Sequence, residues 1–208
     1  MAVLNDRGIL NAFRDGLVSI SPLDPSRIQP ASIDLSLGDT YSLHSPGKLD
    51  FSSLSKQDLK NLEISKEIPK EGLVISPGEF IVCHTEEHLK FSKQIFGVIY
   101  NRSSVVRWGI DAAKANYINP GFEGKMPLVV HNFGTSAITL KKGFVICQLQ
   151  LNFLEKETLH SYEHRHDPKE LAEELVGTGL EKINLDARAD DPLSKFLHEK
   201  ISEITIKE

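Results

Sequence analysis

The second half of the chain consists of short apolar segments of about strand length, each bounded by glycine or proline. The run begins at Leu73 and continues to Phe153, with turn signals such as Pro77-Gly78 between its segments. Turns at a spacing of about ten residues are typical of all-β barrels and jelly rolls. The sequence therefore predicts an all-β fold, a β-barrel or distorted jelly roll. The predicted strands in this half are residues 80–83, 95–100, 128–130, 137–140 and 144–153.

Helix signals are confined to the two ends of the chain. Residues 5–15 predict a short helix, with Ile9 and Leu10 among the residues of its buried face. Near the other end, residues 167–168 and 191–192 each place a capping aspartate and a first-turn proline ahead of apolar residues. We therefore expect a short N-terminal helix and a helical C-terminal extension around the barrel.

The first part of the chain also carries strand signals. Residues 17–21 and 32–37 alternate apolar and polar side chains, and Gly38 is predicted to close the second strand. Residues 45–71 are polar, lysine-rich and weakly patterned, which indicates a surface excursion rather than a strand.

The change in pattern near residue 158 predicts two parts. Residues 1–158 are expected to form the β-barrel domain, and residues 159–208 the helical C-terminal extension. His160, His164 and His166 lie close together where the extension begins. Such a run could bind a transition metal, but no cysteine or carboxylate of fixed spacing accompanies it, and a solvated linker is the favoured interpretation.

Composition narrows the choice of partners. The net charge is -5 and the pI is near 5.9, so the chain has no basic excess with which to bind duplex nucleic acid. Cys83 and Cys147 sit in apolar β-like runs, where they are expected to be small buried hydrophobes rather than a disulfide. The sequence shows no signal peptide or apolar membrane span, which predicts a cytoplasmic protein with no membrane partner.

One polar segment has the chemistry of an anion site. Arg102 and Arg107 each offer a rigid fork of donors that suits phosphate oxygens, and Ser103 and Ser104 add short hydroxyls between them. A tight turn with the carboxamide of Asn119 follows. On spacing alone, a surface loop whose arginines pair with nearby carboxylates explains the segment equally well.

Several motifs in order along the chain carry a family resemblance. In the second half these motifs are residues 102–107 (RSSVVR), 117–124 (YINPGFEG) and 145–149 (VICQL). Together they resemble the dCTP deaminase and dUTPase superfamily. Three further stretches in the first half resemble the dCTP deaminase branch more than the dUTPase branch: residues 4–9 (LNDRGI), 19–22 (SISP) and 28–38 (IQPASIDLSLG).

The resemblance assigns roles to these residues. It implies that the segment from Arg102 to Arg107, with Ser103 and Ser104, binds the phosphates of a nucleoside triphosphate, together with Gln148. It implies that Asp34 helps to hold Mg²⁺ through water, a role that suits an ion bound mainly by phosphates and water. An alternative of equal weight is that Asp34 only makes local hydrogen bonds. The resemblance also implies a homotrimer, because the phosphate segment of one subunit completes the site of its neighbour.

The residues that move protons in this superfamily are absent here. The general acid/base glutamate of the deaminases aligns with Val129, and the water-orienting aspartate of the dUTPases aligns with Asn119. Valine cannot carry a proton, and a carboxamide is no base at neutral pH. His131 lies on the same face of the strand as Val129, so its imidazole is a candidate substitute base, although a half-buried structural histidine is favoured over it. The resemblance also places Ala115, Asn119 and Val129 at the sugar and base.

The sequence thus leads to one function with two alternatives. The leading hypothesis is a protein that binds a pyrimidine deoxynucleoside triphosphate and acts on dCTP or dUTP, by deamination or diphosphate hydrolysis, with Mg²⁺. The first alternative is a catalytically silent nucleotide-binding or regulatory homologue, which Val129 and Asn119 favour. The second is an enzyme for a modified-base nucleotide with a reshaped pocket.

Overall fold

The computed structural model describes residues 2–44, 63–158 and 162. Within them the chain forms thirteen strands and two α-helices, with a 3₁₀ turn at Pro25–Arg27. The helices are α1 (Asp6–Arg14) and α2 (Ser103–Val106). The strands are β1 (Ala2–Val3), β2 (Val18–Ser21), β3 (Ile28–Gln29), β4 (Ser32–His44), β5 (Glu63–Glu67), β6 (Leu73–Ile75), β7 (Phe80–Phe91), β8 (Ile95–Asn101), β9 (Ile110–Asp111), β10 (Tyr117–Ile118), β11 (Glu123–Asn132), β12 (Ile138–Leu140) and β13 (Val145–Phe153).

Eleven of these strands form a single curled antiparallel sheet. Its central path runs β10-β8-β13-β4-β7-β11-β9, with β1, β2, β3 and β5 paired alongside, and β12 pairs with β6 in a separate two-stranded sheet. The curl of this sheet makes a half-barrel. The prediction of an all-β barrel is therefore confirmed, and the strands predicted in the second half all exist, several of them longer than predicted.

Helix α1 matches its prediction except for one side chain. The side chain of Asn5 caps the helix by accepting a hydrogen bond from the backbone N–H of Gly8 at 3.0 Å. Ile9 and Ala12 are buried, so the helix packs its apolar face on the sheet. Leu10 was expected on that face and is 55% exposed, which makes this part of the prediction wrong. Position 10 follows Ile9 directly and is therefore about 100° away around the helix.

Strand β4 does not end at Gly38, as the sequence had suggested, but continues to His44. A side chain at Gly38 would lie 2.9 Å from the carbonyl oxygen of His84, so the glycine allows β4 to cross close to β7. The glycine therefore marks a close approach inside the strand and not its end. Asp34 and Ser36 are buried as well as their apolar neighbours, so both faces of β4 are covered.

The predicted surface excursion is also wrong in part. Glu63–Glu67 forms β5 and pairs antiparallel with the end of β4, where Leu43 lies opposite Ile64. The polar side chains that hid this strand are mostly exposed, as they are on a strand with one solvated face. Residues 45–62 of the same excursion lie outside the described part of the chain.

The core lies inside the curl of the sheet and is almost wholly aliphatic. Cys83 and Cys147 belong to it as buried free thiols, as predicted. Burial raises the pKa of Cys83 to about 12 and raises that of Cys147 as well, so neither forms a thiolate at neutral pH. The largest fully buried side chains are those of Ile9, Ile33, Leu35, Leu37, Ile75, Leu89, Ile95, Ile99, Ile110, Ile118, Leu128 and Ile146.

The predictions for the C-terminal part of the chain are not tested by the described residues. The helical extension and the cluster of His160, His164 and His166 lie outside the described residues, and the domain boundary at residue 158 stays a prediction. Among the residues that are described, no helix has the length and apolar character needed to cross a membrane.

Candidate functional site

The predicted anion segment begins where β8 ends. Asn101 is the last residue of β8, Arg102 has extended backbone, and α2 starts at Ser103. The buried side chain of Val105 anchors this one-turn helix. Its exit at Gly109 has a φ of +90°, and a Cβ there would lie 2.4 Å from the Cα of Gly134. Glycine is therefore required at this exit, both for the backbone angle and for the close approach.

A polar cavity of about 320 Å³ opens beside this segment. β3, β4, the start of α2 and β13 contribute its walls. Asp34 and Gln148 lie directly opposite each other in the β4–β13 pair, and Gln148 also lies opposite Tyr100 of β8. The cavity is lined by Gln29, Ser32, Asp34, Arg102, Ser103, Ser104 and Gln148.

The charges in this cavity are partly paired. Nη2 of Arg102 lies 3.3 Å from Oδ2 of Asp34, whose side chain is only 9% exposed. Burial raises the pKa of the Asp34 carboxyl above its ordinary value, and the positive charges of Arg102 and Arg27 offset only part of that effect. The alternative of arginines paired with carboxylates thus holds for Arg102. Its side chain is one-third exposed and keeps donors for an anion.

A part-buried ion pair lies beside Asp34 on β4. The carboxylate of Glu87 accepts hydrogen bonds from the backbone N–H of Ser36 at 3.0 Å and from its hydroxyl at 2.8 Å. Arg27 lies 3.5 Å from the same carboxylate and also donates to the hydroxyl of Ser36. Because these groups satisfy one another, we regard them as the support of the cavity and not as part of it.

Arg107 lies elsewhere. It borders a larger cavity of about 760 Å³ together with Trp108, Phe133 and Phe144, and Ser104 lines both cavities. Trp108 is 79% exposed, and the two phenylalanines are about half exposed. Within one chain the two arginines therefore border different cavities, and a joint role in phosphate binding stays a prediction.

Val129 and His131 share the outer face of β11. Burial alternates along the strand, with Leu128, Val130 and Asn132 in the core and the two candidate residues partly exposed. The amide of Asn132 is structural, since it donates to the carbonyl oxygens of Ile75 and Ser136 at 2.9 Å. The face with Val129 and His131 thus has a rigid backbone behind it.

Asn119 and Ala115 lie on the connection from β9 to β11. Asn119 starts a turn in which its carbonyl oxygen accepts from the N–H of Phe122 at 3.2 Å, and Gly121 in this turn has a φ of +74°. The Asn119 side chain is half-buried, and Ala115 is exposed. The predicted sugar and base residues therefore lie on loops and on the outer sheet face, and not in the polar cavity.

Sequence reasoning missed three polar residues near these positions. Gln29 and Ser32 line the polar cavity, although they stand in the same QPASID stretch that supplied Asp34. Asp111 lies opposite His131 in the β9–β11 pair. The signal for Ser32 was its spacing of two residues from Asp34 on the same strand, and Gln29 lies opposite Ser32 in the β3–β4 pair. Asp111 had none, because only the strand register brings it to His131.

The carboxylate of Asp111 is firmly held. Its Oδ1 accepts from Nδ2 of Asn101 at 2.9 Å and from the backbone N–H of Ala113 at 3.0 Å, and Nζ of Lys114 lies 3.2 Å from Oδ2. Burial pushes the pKa of Asp111 upward, but these hydrogen bonds and the lysine charge together hold it below its ordinary value. Asp111 is therefore ionised at neutral pH.

Fold and cavity together define a class of protein, an antiparallel β half-barrel with a polar, arginine-containing pocket where β3, β4 and β13 meet α2. Residues 3–154 match the family model described as dCTP deaminase-like. Because this match covers most of the chain, the protein belongs to the dCTP deaminase-like family.

Individual relatives agree with this assignment. The chain is 29% identical over 184 residues to a protein of Sulfurihydrogenibium named dCTP deaminase, dUMP-forming, and the match covers 88% of this chain and 98% of the relative. A protein of the same name from Methanobrevibacter smithii is 30% identical over 79% of this chain and 87% of its own length. Among solved structures, 2'-deoxycytidine 5'-triphosphate deaminase from Agrobacterium tumefaciens superposes with a TM-score of 0.57. That match covers 73% of this chain and 48% of the other at 22% identity, and it supports the fold alone.

Proposed function

We propose that the protein binds a pyrimidine deoxynucleoside triphosphate, dCTP or dUTP, and converts it by deamination, by diphosphate hydrolysis or by both. The observation that carries the proposal is the polar cavity at Arg102 and Gln148, in a chain whose relatives are named dUMP-forming dCTP deaminases. Formation of dUMP from dCTP removes an amino group and a diphosphate, so both hydrolytic steps belong to the reactions worth testing.

In this proposal the triphosphate lies in the polar cavity. Arg102 offers a fork of donors to phosphate oxygens, with the hydroxyls of Ser103 and Ser104 and the carboxamide of Gln148 around it. A phosphate competes with Asp34 for the guanidinium of Arg102. The sugar and base extend toward Ala115, Asn119 and Val129.

The cavity fits Mg²⁺ only as an ion carried by the nucleotide. Asp34 is the one carboxylate among the residues that line the cavity, and it is paired with Arg102. No group of three or more potential metal ligands occurs among the described residues. Mg²⁺ keeps several waters and is often bound through one carboxylate and substrate phosphates, so Asp34 would contact it through water. Bound in that way, Mg²⁺ neutralises phosphate charge.

The site requires neighbouring subunits. Arg107 lines a broad cavity whose apolar wall, with Trp108, Phe133 and Phe144, is open in the single protomer. Monomeric proteins rarely expose large apolar patches, and such a patch marks a surface that binds another molecule. A homotrimer would cover this wall and bring Arg107 to the triphosphate of an adjacent protomer, which explains why the two arginines face different cavities. We place this trimer in the cytoplasm, where its nucleotide substrates are found.

A silent nucleotide-binding homologue is the second candidate. It is favoured by the partly exposed apolar side chain of Val129, on the strand face that also carries His131. An apolar wall there gives no partner to an exocyclic amine and no acceptor for a proton.

One assay separates the two. Purified protein is incubated with each deoxynucleoside triphosphate and Mg²⁺, and ammonia, diphosphate and the product base are measured, with calorimetry for binding. We expect turnover of dCTP or dUTP. Tight binding without any product supports the silent homologue, and the absence of both binding and turnover contradicts the proposed function altogether.

A further inference from the structure

A second polar cluster lies next to the position where a catalytic carboxylate is missing. Asp111 stands directly opposite His131 in the antiparallel β9–β11 pair. Side chains of directly opposite residues share one face of a sheet, and that face also carries Val129, two positions along β11. The neighbouring pair agrees with this register, because Ile110 and Asn132 are opposite each other and both are buried.

The two oxygens of the Asp111 carboxylate have different partners. Oδ1 accepts two hydrogen bonds, from Asn101 and from the N–H of Ala113, which set the orientation of the group. Oδ2 is paired with Lys114, whose side chain is 51% exposed, while that of Asp111 is 22% exposed. A carboxylate accepts about four hydrogen bonds, so Oδ2 has acceptor capacity beyond its contact with Lys114.

Asn101 connects this cluster to the phosphate segment. Its Nδ2 donates to Asp111 and its Oδ1 accepts from the N–H of Ala112 at 2.8 Å. Asn101 is also the residue immediately before Arg102, and it pairs with Cys147, the neighbour of Gln148. The carboxylate is therefore held in a fixed relation to the polar cavity.

Other carboxylates of the described chain are occupied elsewhere. Asp34 is paired with Arg102 inside the polar cavity, and Glu87 is buried against Ser36 and Arg27. Glu123 lies at the far end of β11, where its side chain is 47% exposed and 2.7 Å from the ammonium of a lysine of β7. Of these four carboxylates, Asp111 combines a fixed orientation with a place beside His131.

We propose that Asp111 is the catalytic carboxylate of this protein and takes the place of the glutamate that Val129 has replaced. The inference rests on the proposed function. Oδ2 of Asp111 accepts a hydrogen bond from the attacking water and orients it, while the imidazole of His131 carries protons. In deamination the water oxygen bonds to C4 of cytosine and one water proton ends on ring N3. The C4–N bond then breaks, and the second proton leaves with the amino group as ammonia.

The test is Asp111→Asn in the full-length protein, with Asp39→Asn as the matched control. The asparagine keeps an oxygen that can accept from Asn101 and Ala113, but it loses the charge and half of the acceptor capacity. We expect kcat to fall by about 10²-fold or more, since the loss of an acid/base group costs 10²–10⁴-fold. Affinity for the triphosphate should stay within about threefold, because the polar cavity is unchanged. Asp39 also pairs with lysines, is half exposed and lies outside the site, so its variant should keep the wild-type kcat.

A second variant separates chemistry from loop stability. Lys114→Met removes the partner of Oδ2 but leaves the carboxylate, and it should lower kcat by less than about tenfold. An equal loss in both variants, with equally lowered melting temperatures, would mean that the ion pair only stabilises the loop, and the assignment would be overturned.

Three further outcomes are decisive. A wild-type kcat in Asp111→Asn overturns this assignment and leaves the proposed function standing. Wild-type protein that neither binds nor converts any deoxynucleoside triphosphate removes the proposed function, and the assignment with it. If Asp111→Asn does not fold, Asp111→Glu keeps the charge but moves the carboxylate by one methylene, and an unchanged kcat in that variant also overturns the assignment.

Discussion

The two halves of the candidate site are held in different ways. The phosphate half lies on long strands in the middle of the sheet, where Asp34 and Gln148 face each other across the β4–β13 ladder. The base half lies partly on β11, which carries Val129 and His131, and partly on shorter elements. These are β9, a strand of two residues, and the loop that contains Asn119, with Asn101 and Asp111 joined through their side chains. A ladder of backbone bonds fixes Asp34 and Gln148, whereas a few side-chain bonds fix Asp111. Binding should therefore tolerate substitutions better than the chemical step does.

The largest effect is expected in the base half. His131→Ala should lower kcat by 10²–10⁴-fold, because it removes the group that carries protons in the proposed mechanism. Affinity for the triphosphate, measured by calorimetry, should not change. His88→Ala is the matched control, since His88 is an exposed histidine on β7. If His131→Ala has the wild-type kcat, the histidine is structural and the base half has no proton carrier among the residues proposed here.

The next effect concerns the surface around Arg107. Trp108→Ala should weaken association of the protomers by about 2 kcal/mol, or roughly 30-fold, as the loss of a buried interface tryptophan does. Sedimentation at a series of concentrations measures this. Leu10→Ala removes another exposed apolar side chain, on α1, and should leave assembly unchanged. A wild-type protein that is monomeric at micromolar concentration would contradict the trimer and leave Arg107 without a site.

A smaller effect is expected for the arginines. Charge-assisted bidentate contacts contribute about 1.5–3 kcal/mol, so Arg102→Ala and Arg107→Ala should each weaken triphosphate binding by about tenfold or more. Arg14→Ala is the control, because Arg14 is 70% exposed and paired with its neighbour Asp15. If only Arg102→Ala weakens binding, the cavity beside Arg107 takes no part in the phosphate half. Unchanged affinity in both variants would remove the triphosphate from the polar cavity.

The smallest effect is on acid stability, and its sign should differ between the halves. The pKa of Asp111 is lowered, so its stabilising contribution is present above its ordinary value of 3.8 and is lost as pH falls below it. The pKa of Asp34 is raised, so its burial disfavours folding above the folded pKa, and this cost declines as pH falls toward 3.8. Melting curves from acid to neutral pH should therefore show that Asp111→Asn reduces the loss of stability on acidification, whereas Asp34→Asn increases it. Equal slopes in both variants would contradict the opposite environments.

Most of the architecture could be predicted from the sequence because its strands and its helix are specified by local sequence signals. Strands such as β8 and β13 are long apolar runs between turn residues, and α1 has its cap at Asn5. The prediction failed where one sequence signal is compatible with two structures. Gly38 was interpreted as the end of a strand, although the missing Cβ serves a crossing of two strands. The polar residues of β5 gave no alternating pattern, because pairing with β4 and not burial makes this segment a strand.

Some residues of the candidate site could be predicted from the sequence, and others could not. The segment that begins at Arg102 was a candidate anion site from its residue types, and the family resemblance was needed to favour it over a surface loop and to add Gln148. The direction in which Arg107 points could not be predicted, because four residues of helix separate it from Arg102 and turn it toward another cavity. Asp111 could not be found at all, since a strand of two residues has no periodicity and its partner His131 is twenty residues away.

The contact between Gly109 and Gly134 has a consequence for how this protein can change over time. The exit of α2 and the loop after β11 approach closely: a Cβ on Gly109 would lie 2.4 Å from the Cα of Gly134, and a Cβ on Gly134 would lie 3.3 Å from the Cα of Gly109. A Cβ on Gly134 would also meet the carbonyl oxygen of Trp108 at 3.0 Å. A substitution at either glycine therefore requires a shift in the backbone of the other loop, so we expect the two loops to change together during evolution. This pair of glycines couples the evolution of the phosphate segment to that of the strand that carries His131.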